Sequence, residues 1–180
     1  AHAGPCPERS YARFQEAAVL ARAGKRASIL TGGDPSIFSA GWRIIDLARN
    51  RLPVHISPGV SAFSSVAARA GAPLSGDFAL LSRPDDAAAP SLLAAAGFGV
   101  VVYNVRGHEV LPLLQDLAPE RAVALARDVT RNGEEMIIMN AEEMMELRPS
   151  GFRFTLLISC PRAEIREGRI IAKRGYDSKY

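Results

Sequence analysis

Thr31-Gly32-Gly33-Asp34-Pro35-Ser36-Ile37-Phe38 is the stretch on which the reading of this chain turns. Ala27 to Thr31, just before it, reads as a short buried strand that the two adjacent glycines bring to an end. Pro35 suits the first turn of a helix, with Asp34 or its neighbour as the cap. Two residues without Cβ let a backbone come close to a ligand, and the start of a helix offers unpaired N–H groups. The carboxyl end of a parallel strand is also where α/β sheets bind their ligands. On local physics the same residues read equally well as a plain strand-to-helix turn.

Working outward, the pattern repeats. Arg9 to Ala23 has helical spacing and stops at Gly24, a C-cap position. Ile37 to Arg49 is helical through Ile37, Phe38, Trp42, Ile45 and Leu47. Pro53 to Ser57 reads as a second strand broken by Pro58-Gly59, and Ser61 to Ala70 as an Ala/Ser-rich helix. Strand, turn and helix in succession are the signature of a parallel sheet with crossover helices. Two such turns on neighbouring strands would lie side by side at one sheet edge.

Gly71-Ala72-Pro73-Leu74-Ser75-Gly76 is the linker candidate, giving an amino-terminal domain over 1–74 and a mixed α/β domain over 75–180. In the latter, strands are expected at Phe78–Leu81, Val100–Tyr103, Ala122–Ala126, Met136–Met139 and Phe154–Ser159. Helices are expected at Ser91–Ala96, Glu109–Leu117 and Ala141–Leu147, and a short edge strand within Gly168–Arg174.

Composition narrows the function classes. Of 180 residues, 48% are hydrophobic and 23% charged, an ordinary globular balance. No run is long enough for a bilayer span, and Ala1 to Pro7 lacks the plan of a secretory signal, so a cytoplasmic protein is expected. Cys6 and Cys160, and His2, His55 and His108, are too scattered for a metal site. The net charge of +3 is spread over dispersed arginines such as Arg43, Arg69, Arg106, Arg127 and Arg131. Without clustering or interleaved aromatics this does not point to nucleic acid. It suits a small polyanion, whose carboxylates pair with guanidinium in a bidentate fork, or simply a mildly basic surface.

Gly32-Gly33-Asp34-Pro35-Ser36-Ile37-Phe38 followed by Pro58-Gly59-Val60-Ser61-Ala62 is similar to the paired signature of the tetrapyrrole methylase family. Ala67-Ala68-Arg69-Ala70-Gly71-Ala72-Pro73-Leu74 resembles the family's next landmark. Asp77 to Ser82, Val102-Tyr103-Asn104, Ala126-Arg127-Asp128, Gly133-Glu134-Glu135 and Lys173-Arg174-Gly175-Tyr176 look most like its precorrin-3B C(17)-methyltransferase branch.

The resemblance implies two α/β domains with S-adenosylmethionine in the cleft between them. The implied cofactor contacts are Gly32, Gly33, Asp34 and Ile37 in the first turn, Ser61 and Ala62 in the second, and Tyr103, Arg127 and Asp128 in the second domain. Asp34 would be the fixed polar anchor. The implied reaction is methyl transfer to a ring carbon of a precorrin or cobalt-precorrin, the implied assembly a homodimer. No acid or base is assigned; Arg106, His108 and Asp85 are nearby candidates.

The pattern departs in three places. The family's opening strand and Gly-x-Gly-Pro-Gly loop have no counterpart, so the first domain is expected to be truncated. Tyr103-Asn104-Val105-Arg106-Gly107-His108 stands where the branch usually has Tyr-Asn-Pro-x-Ser, and Arg83-Pro84-Asp85 where it has Ser-Asp after Ser82. Both bear on substrate rather than cofactor. They keep open another corrin-pathway methylase or a relative that binds without catalysing. An unrelated sugar-phosphate or nucleotide binder lacks a Gly-x-Gly-x-x-Gly or Walker sequence to support it.

Overall fold

The computed structural model describes residues 7–74 and 76–172, which divide into two compact units, Ala1–Ser61 and Ala62–Tyr180. Among the described residues no helix is long and apolar enough to cross a membrane.

The first unit holds α1 (Pro7–Arg22) and α2 (Trp42–Ala48). Phe14 and Ala18 of α1 meet Ile44 of α2 in a small core, with Leu47, Ala48 and Leu52 packed against it. The Arg51 guanidinium lies 5.7 Å from the centre of the Phe14 ring. α1 ends as its sequence demands. Gly24 has φ +74, its N–H donates to the Ala21 carbonyl, and the Lys25 N–H donates to that of Leu20. These bonds satisfy two carbonyls that the last helical turn leaves open.

Three expectations for this unit are corrected. Ala27–Thr31 and Pro53–Ser57 are not strands, so the repeated strand–turn–helix is not formed. A strand exists only through its ladder partner, and neither segment has one among the described residues. Their apolar side chains stay in solvent instead: Leu30 is 94% exposed, with Ile29, Val54 and Ile56 also exposed. Nor does a helix follow Asp34 directly, since residues 35–41 are turns and α2 starts only at Trp42. The Asp34 carboxylate accepts the Ser36 N–H at 2.8 Å. A side chain holding its own backbone two residues on competes with the first helical turn.

The second unit comprises α3 (Ala62–Ala70), β1 (Phe78–Ser82), α4 (Ala89–Ala95), β2 (Gly99–Val105), α5 (Gly107–Leu114), β3 (Ala122–Arg127), β4 (Glu135–Asn140), α6 (Ala141–Leu147), β5 (Phe154–Ile158), β6 (Ala163–Arg166) and β7 (Arg169–Ala172). Every strand and helix expected between Phe78 and Ser159 is present, with ends shifted by a few residues. β6 was not expected. It pairs with β7, the strand expected within Gly168–Arg174, of which residues 173 and 174 lie outside the described residues.

The five-stranded sheet has the order β1-β2-β5-β3-β4. β1 and β2 are parallel, while β5 runs antiparallel to both β2 and β3, and β4 to β3. The carboxyl ends of β1, β2 and β3 therefore share one edge. Side chains alternate between the two faces. Val100, Val102, Val123, Leu125, Leu156 and Ile158 pack with Val110, Leu113 and Leu114 of α5 and Met144 of α6. Val101, Ala122, Ala124, Ala126 and Leu157 pack with Val66, Ala67 and Ala70 of α3 and Ile170 of β7. Of the strands in the sheet, α3 packs against β5. α3 buries its apolar stripe here, and the two compact units meet in sequence at Ser61/Ala62.

Candidate functional site

In the first unit the two glycine turns interlock. Asp34 Oδ1 accepts the Ser36 N–H at 2.8 Å and the Ser36 hydroxyl, while Oδ2 accepts the Gly59 N–H at 3.1 Å, across 25 residues of sequence. These donors, led by the Ser36 hydroxyl and followed by the Ser36 and Gly59 N–H groups, hold the Asp34 carboxyl below its ordinary range. Gly32 and Gly33 are exposed, and Gly33 has φ +72. Ile37 is half-buried and its N–H donates to the Asp34 carbonyl. A Cβ on Gly59 would stand 2.4 Å from the Gly33 carbonyl oxygen, so only glycine allows the two backbones this close. Ser61 is buried and immediately precedes α3, whose first residue, Ala62, is exposed.

The second unit gathers its own set at the edge where β1, β2 and β3 end. Tyr103 lies at the carboxyl end of β2, where the pairing with β5 shifts register between Val102 and Val105. Its hydroxyl accepts the Phe63 N–H at 2.6 Å. That N–H is one of the orphan donors of the first turn of α3, so Tyr103 caps α3 from the sheet. Burial pushes the Tyr103 phenol up, opposed only in part by the Phe63 N–H. Tyr103→Phe is expected to lower stability by about 1 kcal/mol, the worth of one tertiary hydrogen bond. Urea denaturation should show a lower midpoint with an unchanged slope.

Arg127 closes β3. Its Nη2 pairs with Glu135 across the ladder to β4, and its guanidinium carbon lies 5.4 Å from the centre of the Phe154 ring. Its Nε is buried and has no hydrogen-bond partner among the described residues. A buried donor without an acceptor is uncommon in a folded protein and fits a position that a ligand completes. Asp128 follows, exposed, at φ +50. Arg83, Asn104 and Thr130 share the left-handed conformation, at φ +47, +59 and +68. Sparsely populated backbone of this kind gathers at functional sites, and here it marks the carboxyl ends of β1, β2 and β3, which share one edge of the sheet. Sequence reasoning missed this cluster. Asn104 and Asp128 carried the signal that could have found it, since Asn and Asp enter this region more readily than most residues.

Arg106, His108 and Asp85, the acid–base candidates, are all exposed: Asp85 follows β1, Arg106 caps the start of α5 after β2, and His108 lies in the first turn of α5. The fixed group among them is Glu109. It accepts the Arg106 N–H at 2.8 Å and pairs with Arg83 Nη2 at 3.0 Å. Burial pushes the Glu109 carboxyl up, but the Arg106 N–H and the Arg83 charge outweigh it, and the net shift is down. Glu109→Gln is expected to leave the fold intact and to cost about 1 kcal/mol, because the Arg83 pair is only partly shielded from water. The loss should shrink as pH falls through the Glu109 carboxyl's depressed range, where the wild-type pair is itself protonated.

The chain belongs to the family of tetrapyrrole (corrin/porphyrin) methylases, whose model matches residues 7–145. Among curated relatives it is 25% identical over 190 residues to a cobalt-factor III methyltransferase of Priestia megaterium. That alignment takes in 93% of this chain but 35% of the relative. It is 28% identical over 183 residues to a precorrin-3B C(17)-methyltransferase of a Sinorhizobium species, across 86% of this chain and 69% of that one. The crystal structure of the methyltransferase CobJ shares the fold, with a TM-score of 0.72 at 20% identity over 89% of this chain and 75% of the other.

Proposed function

We propose that the chain serves an S-adenosylmethionine-dependent C-methyltransferase acting on a precorrin or cobalt-precorrin in cobalamin synthesis, the C(17) methylation of precorrin-3B in particular. The observation that carries the reading is the interlocked pair of turns, Gly32-Gly33-Asp34 against Gly59, in a chain of this family. The names of the two relatives support the substrate class.

In this reading the cofactor-binding residues are the exposed backbone of Gly32 and Gly33, with Asp34, Ile37 and Ser61, in the first unit, and Ala62, Tyr103, Arg127 and Asp128 in the second. The residues fit such a ligand: the glycines present backbone unshielded by Cβ, and Arg127 has a buried donor free for an acceptor. Bound there, the cofactor supplies an electrophilic sulfonium methyl to a nucleophilic ring carbon. The chain's own contribution is to hold and align, which alone removes a large part of such a barrier. Arg83 and Arg106 stand on the edge that the macrocycle's carboxylates would meet. A second copy of the chain is the proposed partner.

Calorimetric titration with S-adenosylhomocysteine tests the cofactor, with Kd expected on the order of 1–10 μM. Incubation with precorrin-3B and the methyl donor tests the reaction, read as the mass of one added methyl group in the product. Binding without transfer to any precorrin would favour a relative that retains the cofactor and has lost catalysis.

A further inference from the structure

We propose that Asp34 and Gly59 are a paired positioning device for the cofactor, and that the Asp34 side chain is not itself a ligand. This rests on the cofactor reading above and changes the role that the sequence gives to Asp34. A carboxylate has about four acceptor positions. Three of them here are taken by the Ser36 N–H, the Ser36 hydroxyl and the Gly59 N–H. The bond to Gly59 is charge-assisted, which makes it stronger than a neutral one. It joins two turns that no sheet ladder holds in register, because the segments leading into them are not strands. Gly59 completes the device from the other side, its bare α-carbon lying against the Gly33 carbonyl. What the ligand meets is then the backbone of Gly32 and Gly33, held at one fixed spacing from the second turn.

The device has a signature that direct ligation lacks. In the ¹⁵N-labelled, ligand-free protein, the Gly59 amide resonance should move as Asp34 is protonated. The shift should come at a pH below the ordinary carboxylate range, and Asp34→Asn should abolish it. In calorimetry with S-adenosylhomocysteine, Gly59→Ala, which keeps the Asp34 carboxylate, should weaken binding by about tenfold or more, as Asp34→Asn does. Since both act on one contact, the double variant should be no worse than the weaker-binding single variant within about twofold. Wild-type affinity in Gly59→Ala, multiplying losses in the double variant, or a Gly59 amide blind to Asp34 would each overturn the proposal. If the wild type fails to bind while the amide still reports Asp34, the cofactor reading falls and the link between the turns stands. The amide titration needs no variant to fold, so a misfolded Gly59→Ala leaves the test intact.

Discussion

Gly107→Ala is expected to destabilise the protein by about 3 kcal/mol, the upper part of the usual cost of forcing extra volume into a packed site. A Cβ built on Gly107 would stand 2.0 Å from the Pro149 carbonyl oxygen, 2.7 Å from its carbon and 2.9 Å from Ser150 Cα. All three are backbone atoms, so no side-chain rotation can make room. The Gly107 N–H also donates to the Gly151 carbonyl at 2.9 Å, which ties the first residue of α5 to the segment before β5. Relief requires moving one of the two chains, and moving α5 displaces Glu109 from Arg83 and from the Arg106 N–H. In a protein of this size the loss corresponds to a fall in Tm of roughly 6–12 °C. Gly76→Ala is the control, since among the described residues nothing beyond its chain neighbours lies within 4 Å of its added methyl, and it should stay within about 0.5 kcal/mol of wild type. A Gly107→Ala protein that melts with wild type would mean that α5 and residues 149–151 do not approach as described.

The two units differ in how far the sequence announces them. In the second, each strand alternates against a helix-covered face, and local pattern is enough. Val100, Val102, Leu125 and Leu156 fall on one side and Val101, Ala124 and Leu157 on the other. α6 carries its own start signal, Asn140 capping the Glu143 N–H while Glu143 accepts from Asn140. β6 was hidden because Ala163-Glu164-Ile165-Arg166 is polar at half its positions and becomes a strand only by pairing with β7. In the first unit the same local reading overreaches. Ile29, Leu30, Val54 and Ile56 suggest strands, but pairing is a property of the neighbour and not of the segment.

The site divides along the same line. Motif and spacing picked out Asp34, Tyr103 and Arg127, and each has a definite structural task. What spacing could not give is the direction in which a side chain is used. Asp34 turns back on Ser36 and Gly59, and Tyr103 reaches to the start of α3. Left-handed backbone at Arg83 and Thr130 was equally illegible, because there it arises where strands end and not from residue type; only Asn104 and Asp128 are of types that enter this region readily.

Leu156→Ala is expected to cost about 3–4 kcal/mol, within the range for truncating a fully buried leucine. Leu156 has no exposed surface and lies in β5, the middle strand of the sheet. It stands opposite Val102 of β2 and Leu125 of β3, two further buried members of the same core. How much a cavity costs depends on how far its walls can close, and here they cannot close far. Both neighbouring strands are held to β5 by their own ladders, so the backbone around the void keeps its spacing. Leu147→Ala, at a position 47% exposed on α6, should cost no more than about 1 kcal/mol, because about half of that side chain stays in water. Urea denaturation of the two variants beside wild type should give a lower midpoint and an unchanged slope for each, with Leu156→Ala much the larger shift. Equal shifts would mean that the centre of the sheet is loosely packed. The loss is expected to stay within the core: β5 joins β2 to β3, Tyr103 and Arg127 sit at the ends of those two strands, and the ladders that space them are untouched. Below its melting range the Leu156→Ala protein should still bind S-adenosylhomocysteine like wild type, and lose binding only as it unfolds, since the ladders rather than the leucine set the spacing of those ends.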